Sequence, residues 1–275
     1  MHQLRRVDRT SPVTVWEERL DFGWWASNGP TAGYLIRLAL QAADKTQPAH
    51  TYVRQVSLQV LALPAAGSAK LAAATLSGPS DTGILTITFA QRHLFALASL
   101  TLGPPQGESA PGDASPPPAL PREAYQPMTM VSLEVPPVTS HFEYRPTGDV
   151  SGRGPLEGWD VVWLTPTDHH LSGQDLVVSM IDSWYPPSFI SAVRAHLRDG
   201  GPLRQPAPSV LSSATVSFPA SRTAYDDARD ALLANQLTAT TDGYCFERSE
   251  IWSDTGDLLA TAELIRRTQG AWKTQ

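Results

Sequence analysis

The hydrophobic and polar positions along the chain change from a helical to an alternating pattern twice, in the same order. In the first half, the apolar stretch 32–43 predicts a buried helix, and a leading strand is predicted at 13–22. Four segments with strand character follow the helix, at 53–63, 69–77, 84–91 and 95–102. This order predicts a helix that packs on an antiparallel sheet.

The second half repeats this order after a lead-in over residues 138–164. Residues 174–197 predict a helix that Tyr185-Pro186-Pro187 must break or kink, because proline cannot donate a backbone hydrogen bond. Strands are predicted at 209–218, 232–241, 244–252 and 258–266, with hairpin turns at 241–243 and 254–256. A helix followed by four strands therefore occurs twice, and a duplicated unit of this kind indicates a pocket between two halves.

A proline-rich segment separates the two halves. Ten of the 24 prolines lie from Gly103 to Pro137, mixed with glycine, serine and aspartate. Proline lacks the donor that helices and sheets need, so this composition predicts a semi-extended linker. We therefore divide the chain into an N-terminal unit, 1–102, a linker, 103–137, and a C-terminal unit, 138–275.

Composition narrows the classes of function. The chain has 275 residues, of which 41% are hydrophobic, enough to bury a substantial core. No run approaches the ~18 to 20 apolar residues that cross a bilayer, and residues 1–6 lack the apolar stretch of a secretory signal, so we expect a cytoplasmic protein with no membrane partner. A net charge of −6 with scattered basic residues argues against nucleic acid binding.

The sequence predicts no metal and no cofactor. The single cysteine, Cys245, excludes an internal disulfide framework and a cysteine-rich zinc site. His169 and His170 are adjacent, so they do not share a face of a helix or strand, and no third ligand lies at a useful spacing. Phosphate-binding, dinucleotide-binding and serine-hydrolase motifs are missing from the sequence.

Three motifs together resemble a known family. They are residues 29–34 (GPTAGY), 180–187 (MIDSWYPP) and 250–260 (EIWSDTGDLLA). Their order and spacing are similar to those of the double-hotdog proteins of the acyl-CoA thioesterase II type, over nearly the whole chain. The resemblance implies an α+β fold in which two helix-plus-sheet units form one extended sheet around two central helices.

The resemblance also implies a site. Hydrolases of this family position a water with an aspartate on the second helix, a threonine or similar group on the next strand, and a glutamine near the end of the last strand. Asp182 matches the aspartate, whereas Leu211 and Leu264 fall at the other two positions. Leucine cannot hold a water, so the water site is degenerate unless Ser212 or Ser213 substitutes after a slip in register.

Asp182 is the main candidate for acid-base chemistry. It lies among apolar and aromatic neighbours, and burial there would raise the pKa of its carboxyl and favour proton transfer. The alternative interpretation is a structural cap or an ion pair. The turn at Asn28 and Gly29 likewise offers either backbone donors for a developing oxyanion or a simple helix cap.

The other candidates for substrate binding are aromatic residues that flank these motifs. These residues either line a pocket, together with Leu211 and Leu264, or pack in the core. They are Trp24, Trp25, Tyr34, Trp184 and Tyr185.

Three functions fit these expectations. The first is hydrolysis of an acyl thioester of CoA or a carrier protein by Asp182 with an unconventional partner. The second is a repurposed fold that cyclises, including by pericyclic ring closure, dehydrates or isomerises a polyketide-like intermediate. The third is a catalytically silent acyl-binding protein. The resemblance also implies a homo-oligomer that associates through sheet edges and helix faces.

Overall fold

The structure is a computed structural model, and it describes residues 5–8, 13–26, 28–47, 52–76, 83–104, 116–117, 119, 121–128, 136–148, 158–167, 170–191, 209–220 and 222–268. Within these residues a 12-stranded sheet carries the fold. The strands that pair directly are antiparallel, and the main apolar core lies on one face of the sheet around two helices. The fold is therefore α+β.

The N-terminal half contributes six strands and the longest helix. In chain order these are β1 (Arg5–Asp8), β2 (Val13–Leu20), helix α1 (Ala32–Thr46), β5 (Tyr52–Val60), β6 (Gly67–Leu76), β7 (Gly83–Ala90) and β8 (Leu94–Gly103). A small separate hairpin, β3 (Trp25–Ala26) and β4 (Gly29–Pro30), precedes α1. Alternation along β7 and through residues 96–102 of β8 buries every second residue, as the sequence pattern predicts.

The C-terminal half contributes the other six strands. In chain order its elements are β9 (Phe142–Pro146), β10 (Trp159–Pro166), helix α2 (Gly173–Met180), β11 (Ser209–Ser217), a short helix α3 (Arg222–Asp227), β12 (Ala231–Thr241), β13 (Tyr244–Ser253) and β14 (Leu258–Thr268). Both predicted hairpin turns are confirmed. At the first turn Asp242 and Gly243 have φ angles of 46° and 79°, the left-handed backbone that tight hairpins need.

The strand order is the same in the two halves. The sheet runs β1-β2-β6-β7-β8-β5-β11-β14-β13-β12-β10-β9. In the N-terminal half β2 pairs with β6, and β5 lies last in the order counted from the outer edge. In the C-terminal half β10 pairs with β12, and β11 lies last, again counted from the outer edge. Strands β5 and β11 pair with each other antiparallel, so the sheet is continuous across the middle of the chain.

The two helices meet closely at one glycine. A Cβ on Gly33, in the first turn of α1, would lie 2.1 Å from the carbonyl oxygen of Val178 and 2.7 Å from that of Ile181. Only a residue without a side chain fits there. The N-terminus of α1 therefore lies directly against the C-terminal end of α2.

Part of the proline-rich segment packs on the outer face of the C-terminal half. There a second apolar cluster contains Val161, Trp163, Leu232, Ala234 and Trp252, and Ala119 and Tyr125 pack against it. Arg122 donates to Thr165 Oγ1 at 2.8 Å and to Asp230 Oδ1 at 3.1 Å. The N–H of Met128 also donates to the carbonyl of Tyr144 on the edge strand β9, at 2.7 Å. These described parts of the segment cover the sheet.

The structure differs from the predicted elements at three places. The cap of α1 is Thr31, whose Oγ1 accepts from the N–H of Tyr34 at 3.2 Å, and not the Asn28-Gly29 turn. The predicted interruption of the second helix is confirmed, but it begins earlier than the prolines: α2 ends at Met180, and residues 187–191 are helical again. Residues 192–197 of the predicted helix lie outside the described residues. The lead-in 138–164 holds β9 and the start of β10, which the pattern did not predict.

Candidate active site

Asp182 follows α2 with an unusual backbone conformation. Its φ angle is 65°, in the left-handed region that non-glycine residues seldom adopt and that aspartate tolerates better than most. The N–H groups of Ile181 and Ser183 bond to the carbonyls of Val178 and Met180, which closes the end of the helix. This turn directs the Asp182 carboxylate toward the N-terminus of α1.

Both oxygens of the Asp182 carboxylate have partners. Oδ2 accepts from the N–H of Ala32, the first residue of α1, at 3.1 Å. Oδ1 accepts from Nη2 of Arg266 on β14. The Asp182 side chain is 4% exposed, so this carboxylate is a buried ion at the junction of the two helices. Asp182 therefore forms an ion pair in this structure, as the alternative interpretation expects.

Arg266 joins two carboxylates. Its Nε donates to Oε2 of Glu247 on β13 at 2.7 Å, and Oε1 of Glu247 accepts from Oγ of Ser188 at 3.2 Å. Burial alone would lower the pKa of Arg266, but the carboxylates of Asp182 and Glu247 outweigh it and raise that pKa. The cluster holds two acids and one base, so it carries a net negative charge inside the protein.

The two leucines of the predicted water site lie beside this cluster. Leu211 is the register partner of Arg266 across β11 and β14, and Leu264 is two residues before Arg266 on β14. Leu211 is 8% exposed and Leu264 is 3% exposed. Neighbouring Glu263 is exposed on the opposite face, as the alternation predicts. Apolar surface thus lies next to the Asp182–Arg266 pair.

The two candidate serines differ in position. The register of β11 with β14 shifts between Leu211 and Ser213, which places Ser212 at the irregularity. Ser213 pairs with Gln59 across the central seam, and it alternates with the buried Ala214. Ser213 therefore lies on the outer face of the sheet, whereas Ser212 is the extra residue at the irregularity.

The hairpin β3–β4 connects the start of α1 with the C-terminal half. Nδ2 of Asn28 donates to the carbonyl of Ser209, the first residue of β11, at 3.3 Å. Gly29 has a φ of 128°, and a Cβ there would lie 3.0 Å from Leu63. Trp25 pairs with Pro30 in this hairpin, and its buried indole Nε1 has no hydrogen-bond partner among the described residues.

The aromatic candidates of the first motif belong to the core. Trp24 stacks on the His141 ring at 3.8 Å between centroids, and the Arg37 guanidinium lies 4.0 Å from the centre of the Trp24 ring. The hydroxyl of Tyr34 accepts from the N–H of Asp21 at 2.8 Å, and burial raises its pKa to about 12. Trp24 and Tyr34 are 3% and 2% exposed, so core packing accounts for both.

The aromatic candidates of the second motif lie nearer to Asp182. Nε1 of Trp184 donates to Oδ2 of Asp160 on β10 at 2.6 Å. The hydroxyl of Tyr144 donates to the carbonyl of Ser183 at 2.9 Å, and this ring lies 5.1 Å from that of Trp184. Tyr185 is half-buried and stacks on Phe189. These contacts fix the segment that follows Asp182.

A second buried carboxyl lies at the other end of the helix pair. Oδ2 of Asp175 on α2 accepts from Nε2 of Gln41 on α1 at 3.0 Å. Burial raises the pKa of Asp175 from 3.8 to about 6, while the bond from Gln41 and the charge of Arg37 act in the opposite direction. The sequence patterns gave no sign of this group, because its environment comes from a helix 134 residues away.

Within the described part of the chain, no three His, Cys, Asp or Glu side chains are placed to hold a metal ion. His169 of the adjacent histidine pair lies outside the described residues. No helix in the described ranges is both long and apolar enough to span a bilayer.

Solved structures share this fold. A hot dog fold protein of unknown function from Alicyclobacillus acidocaldarius superposes with a TM-score of 0.78 at 18% identity, over 94% of each chain. An acyl-CoA thioesterase II from Mycobacterium marinum gives 0.72 at 13% identity, also over 94% of each chain. The dehydratase GphF gives 0.52 at 13% identity, over 98% of this chain and 99% of its own. No protein-family profile and no curated protein sequence matches the chain.

These likenesses confirm, for the fold, the predicted resemblance to hotdog proteins of the acyl-CoA thioesterase II type. At these identities they show the fold alone.

Proposed function

We propose that this protein is an enzyme acting on acyl thioesters of CoA or a carrier protein, built from two tandem hotdog units, with Asp182 as its acid-base group. The observation that carries the proposal is the position of the Asp182 carboxylate between the N-terminus of α1 and the Arg266 guanidinium. Acyl transfer needs a base beside donors that stabilise negative charge on the carbonyl oxygen, and these groups supply both.

Hydrolysis is the first candidate reaction. A carboxylate has about four acceptor positions, and Ala32 and Arg266 occupy two of them, so Asp182 can still accept a hydrogen bond from water. As that water attacks the thioester carbonyl carbon, its proton passes to Asp182. The new oxyanion is stabilised by the N-terminus of α1 and by Arg266, and the C–S bond then breaks as Asp182 returns the proton to the thiolate.

The N-terminus of α1 supports this role for a specific reason. Ala32 donates to Asp182 and Tyr34 donates to Thr31, whereas the N–H of Gly33 between them has no hydrogen-bond partner within the described ranges. Gly33 is buried. A buried N–H at a helix start is a suitable donor for a carbonyl oxygen that is gaining charge.

A second candidate is a reaction that needs no hydrolytic water, and the leucines favour it. Leu211 and Leu264 are buried beside the ion pair, where a hydrolase of this fold would be expected to hold water with polar groups. A dry, shaped site with one carboxylate and one guanidinium suits a dehydration, an isomerisation or a cyclisation, including a pericyclic one. The GphF dehydratase shows that this fold also carries non-hydrolytic enzymes.

The test is thiol release from a panel of short, medium, long and aromatic acyl-CoAs. We expect native protein to release CoA and Asp182→Asn to lower turnover by at least about 100-fold. Asparagine tolerates the left-handed backbone at position 182, so the turn should be kept. The matched control is Asp242→Asn, at an exposed aspartate that also has a positive φ.

The outcomes separate the candidates. Full turnover in a folded Asp182→Asn protein would remove Asp182 from the chemistry. If native protein releases no thiol but binds acyl-CoA, hydrolysis is excluded, and product analysis after incubation distinguishes the second reaction class from a silent acyl-binding protein.

A further inference from the structure

The inner face of the C-terminal half carries a row of polar side chains. Asp160 on β10 is the register partner of Asn235 on β12, and Asn235 is the partner of Ser249 on β13. Val161 and Ala234, next to Asp160 and Asn235 in the chain, belong to the outer apolar cluster. Leu233 and Ile251, two residues from Asn235 and Ser249, belong to the main core. Asp160, Asn235 and Ser249 therefore point toward the interior, and we call them the polar row.

The N-terminal half has no such row at the inward positions of its β6, β7 and β8, all of which are described. The buried inward positions there are apolar and hold Ala69, Leu71, Ala73, Leu85, Ile87, Phe89, Ala96, Ala98 and Leu100. Thr75, at the end of the same series on β6, is exposed and accepts from Gln47. The two halves share one strand order, so topology does not require polar residues on the inner face. On β2, the counterpart of β10, one inward position is also polar and buried, Glu18. The adjacent amide and hydroxyl on β12 and β13 have no such counterpart on β6 and β7, so their presence needs another explanation.

Two members of the polar row are buried residues whose side chains have no hydrogen-bond partner in the described part of the chain. Asn235 is 6% exposed and Ser249 is 4% exposed, and neither side chain makes a hydrogen bond with any residue that the structure describes. Their polar atoms are not among the fully enclosed side-chain atoms that lack a partner, so these atoms keep some accessible surface for a ligand to contact. Asp160 differs, because it accepts from Trp184. Buried polar groups are nearly always hydrogen-bonded, since leaving one unpaired lowers stability. An amide and a hydroxyl left unpaired side by side are groups that a ligand can satisfy.

The polar row lies close to the Asp182–Arg266 pair. Glu247, which binds Arg266, is two residues before Ser249 on β13. Two residues along a strand span about 7 Å, and Asn235 lies one strand further, another ~5 Å away. These spacings correspond to several carbon–carbon bonds of an acyl chain.

We infer that the polar row binds an oxygen substituent, a hydroxyl or a ketone, on the acyl chain of the substrate. The inference rests on the proposed function for the position of the thioester. Asparagine and serine each donate and accept, so together they can bind either substituent, and a plain fatty acyl chain would leave them unpaired. The preferred substrate is therefore an oxygenated acyl thioester.

The experiment measures binding without chemistry. Thioether analogues of octanoyl-CoA, in which no thioester can be cleaved, are titrated calorimetrically into native protein. The analogues are the plain chain, chains with a hydroxyl at carbon 3, 5 or 7, and the 5-oxo chain. We expect at least one oxygenated analogue to bind at least about tenfold more tightly than the plain chain. The comparison of the 5-hydroxy and 5-oxo chains identifies the substituent.

The variants Asn235→Leu and Ser249→Ala test whether the polar row causes the preference for oxygenated analogues. Each should reduce it to about twofold or less while the plain chain binds as well as before or better. Ser249→Ala removes one atom and provides the test if Asn235→Leu does not fold. Ser99→Ala, at a half-buried outward position of β8, is the control and should keep the native preference.

Native protein that binds all analogues equally, or binds none, overturns the inference, as does a preference that survives in both variants. Thiol release is a separate measurement. A preference for oxygenated analogues without any thiol release would uphold the polar row as a binding site and reject hydrolysis.

Discussion

Arg266 on the last strand donates to the carboxylate of Asp182, which lies 84 residues earlier at the end of α2. The same guanidinium bonds to Glu247 on the neighbouring strand. A turn with a left-handed aspartate is therefore held against the sheet by a buried cation, and the two carboxylates depend on Arg266 for their pairing.

Arg266→Met should be strongly destabilising. It leaves the buried carboxylates of Asp182 and Glu247 without the cation that they share, and breaking a buried ion pair from one side typically costs about 3 to 5 kcal/mol. Urea unfolding measures the loss. The control is Arg248→Met on β13, since Arg248 is 50% exposed and its pair with Glu250 should contribute less than about 1 kcal/mol. Similar losses in the two variants would show that the Arg266 network is not an important structural contact.

Leu264→Gln should raise thiol release at least about tenfold if native protein is a hydrolase with an incomplete water site. The new amide would face inward beside Arg266 and could hold a water near Asp182. Ile265→Gln is the control, because its side chain lies on the opposite face of β14. A folded Leu264→Gln protein with no gain on any acyl-CoA would count against hydrolysis as the native reaction.

Gly33→Ala should damage both folding and the site. The added methyl would meet the carbonyl oxygens of Val178 and Ile181 within 2.7 Å, so α1 and α2 must separate. We expect a loss of about 3 kcal/mol or more in unfolding free energy. Gly103→Ala is the control, since its Cβ would meet only the flexible side chain of Arg54. Native-like stability of Gly33→Ala would contradict the close contact of the two helices.

Asp175→Asn should stabilise the protein near neutral pH and have little effect in acid. Burial raises the pKa of Asp175 from 3.8 to about 6. Between these pH values the folded protein keeps a proton on Asp175 that the unfolded chain releases. Stability from this group therefore falls as pH rises from about 4 to 6.

The variant stays neutral throughout, so at pH 7 it should be more stable than native protein by at most about 3 kcal/mol, with little difference near pH 4. Asp44 and Arg37 are the charged groups that act on Asp175 from α1. Unfolding curves at pH 4 to 7 measure the difference, with the exposed Asp227→Asn as control. A stability difference that does not change with pH would refute the assignment.

Much of the fold follows from the sequence pattern, and the exceptions have physical causes. Strands such as β7 alternate cleanly because one face is buried and the other is not. Strand β10 was missed because Val161 and Trp163 pack in the outer cluster while Val162 and Leu164 pack in the core, which removes the alternation. The position of α2's end depends on contacts with α1 that no local pattern contains.

The site was less predictable. The motif at 180–187 identified Asp182, but its partner Arg266 was missed, although it continues the inward series Ala262 and Leu264 on β14. A basic residue in an apolar inward series was the available signal. Ser213 was named as a candidate, but it lies on the outer face. The prediction failed because the shift in register at Ser212 cannot be seen in the sequence.

The pairing of β5 with β11 makes this protein hard to divide. If either half were expressed alone, β5 or β11 would become an edge strand with a full row of unpaired backbone groups, which can pair with another chain. Separately made halves are thus expected to capture each other or to aggregate, and co-expression of the two fragments would be a practical route to a split reporter.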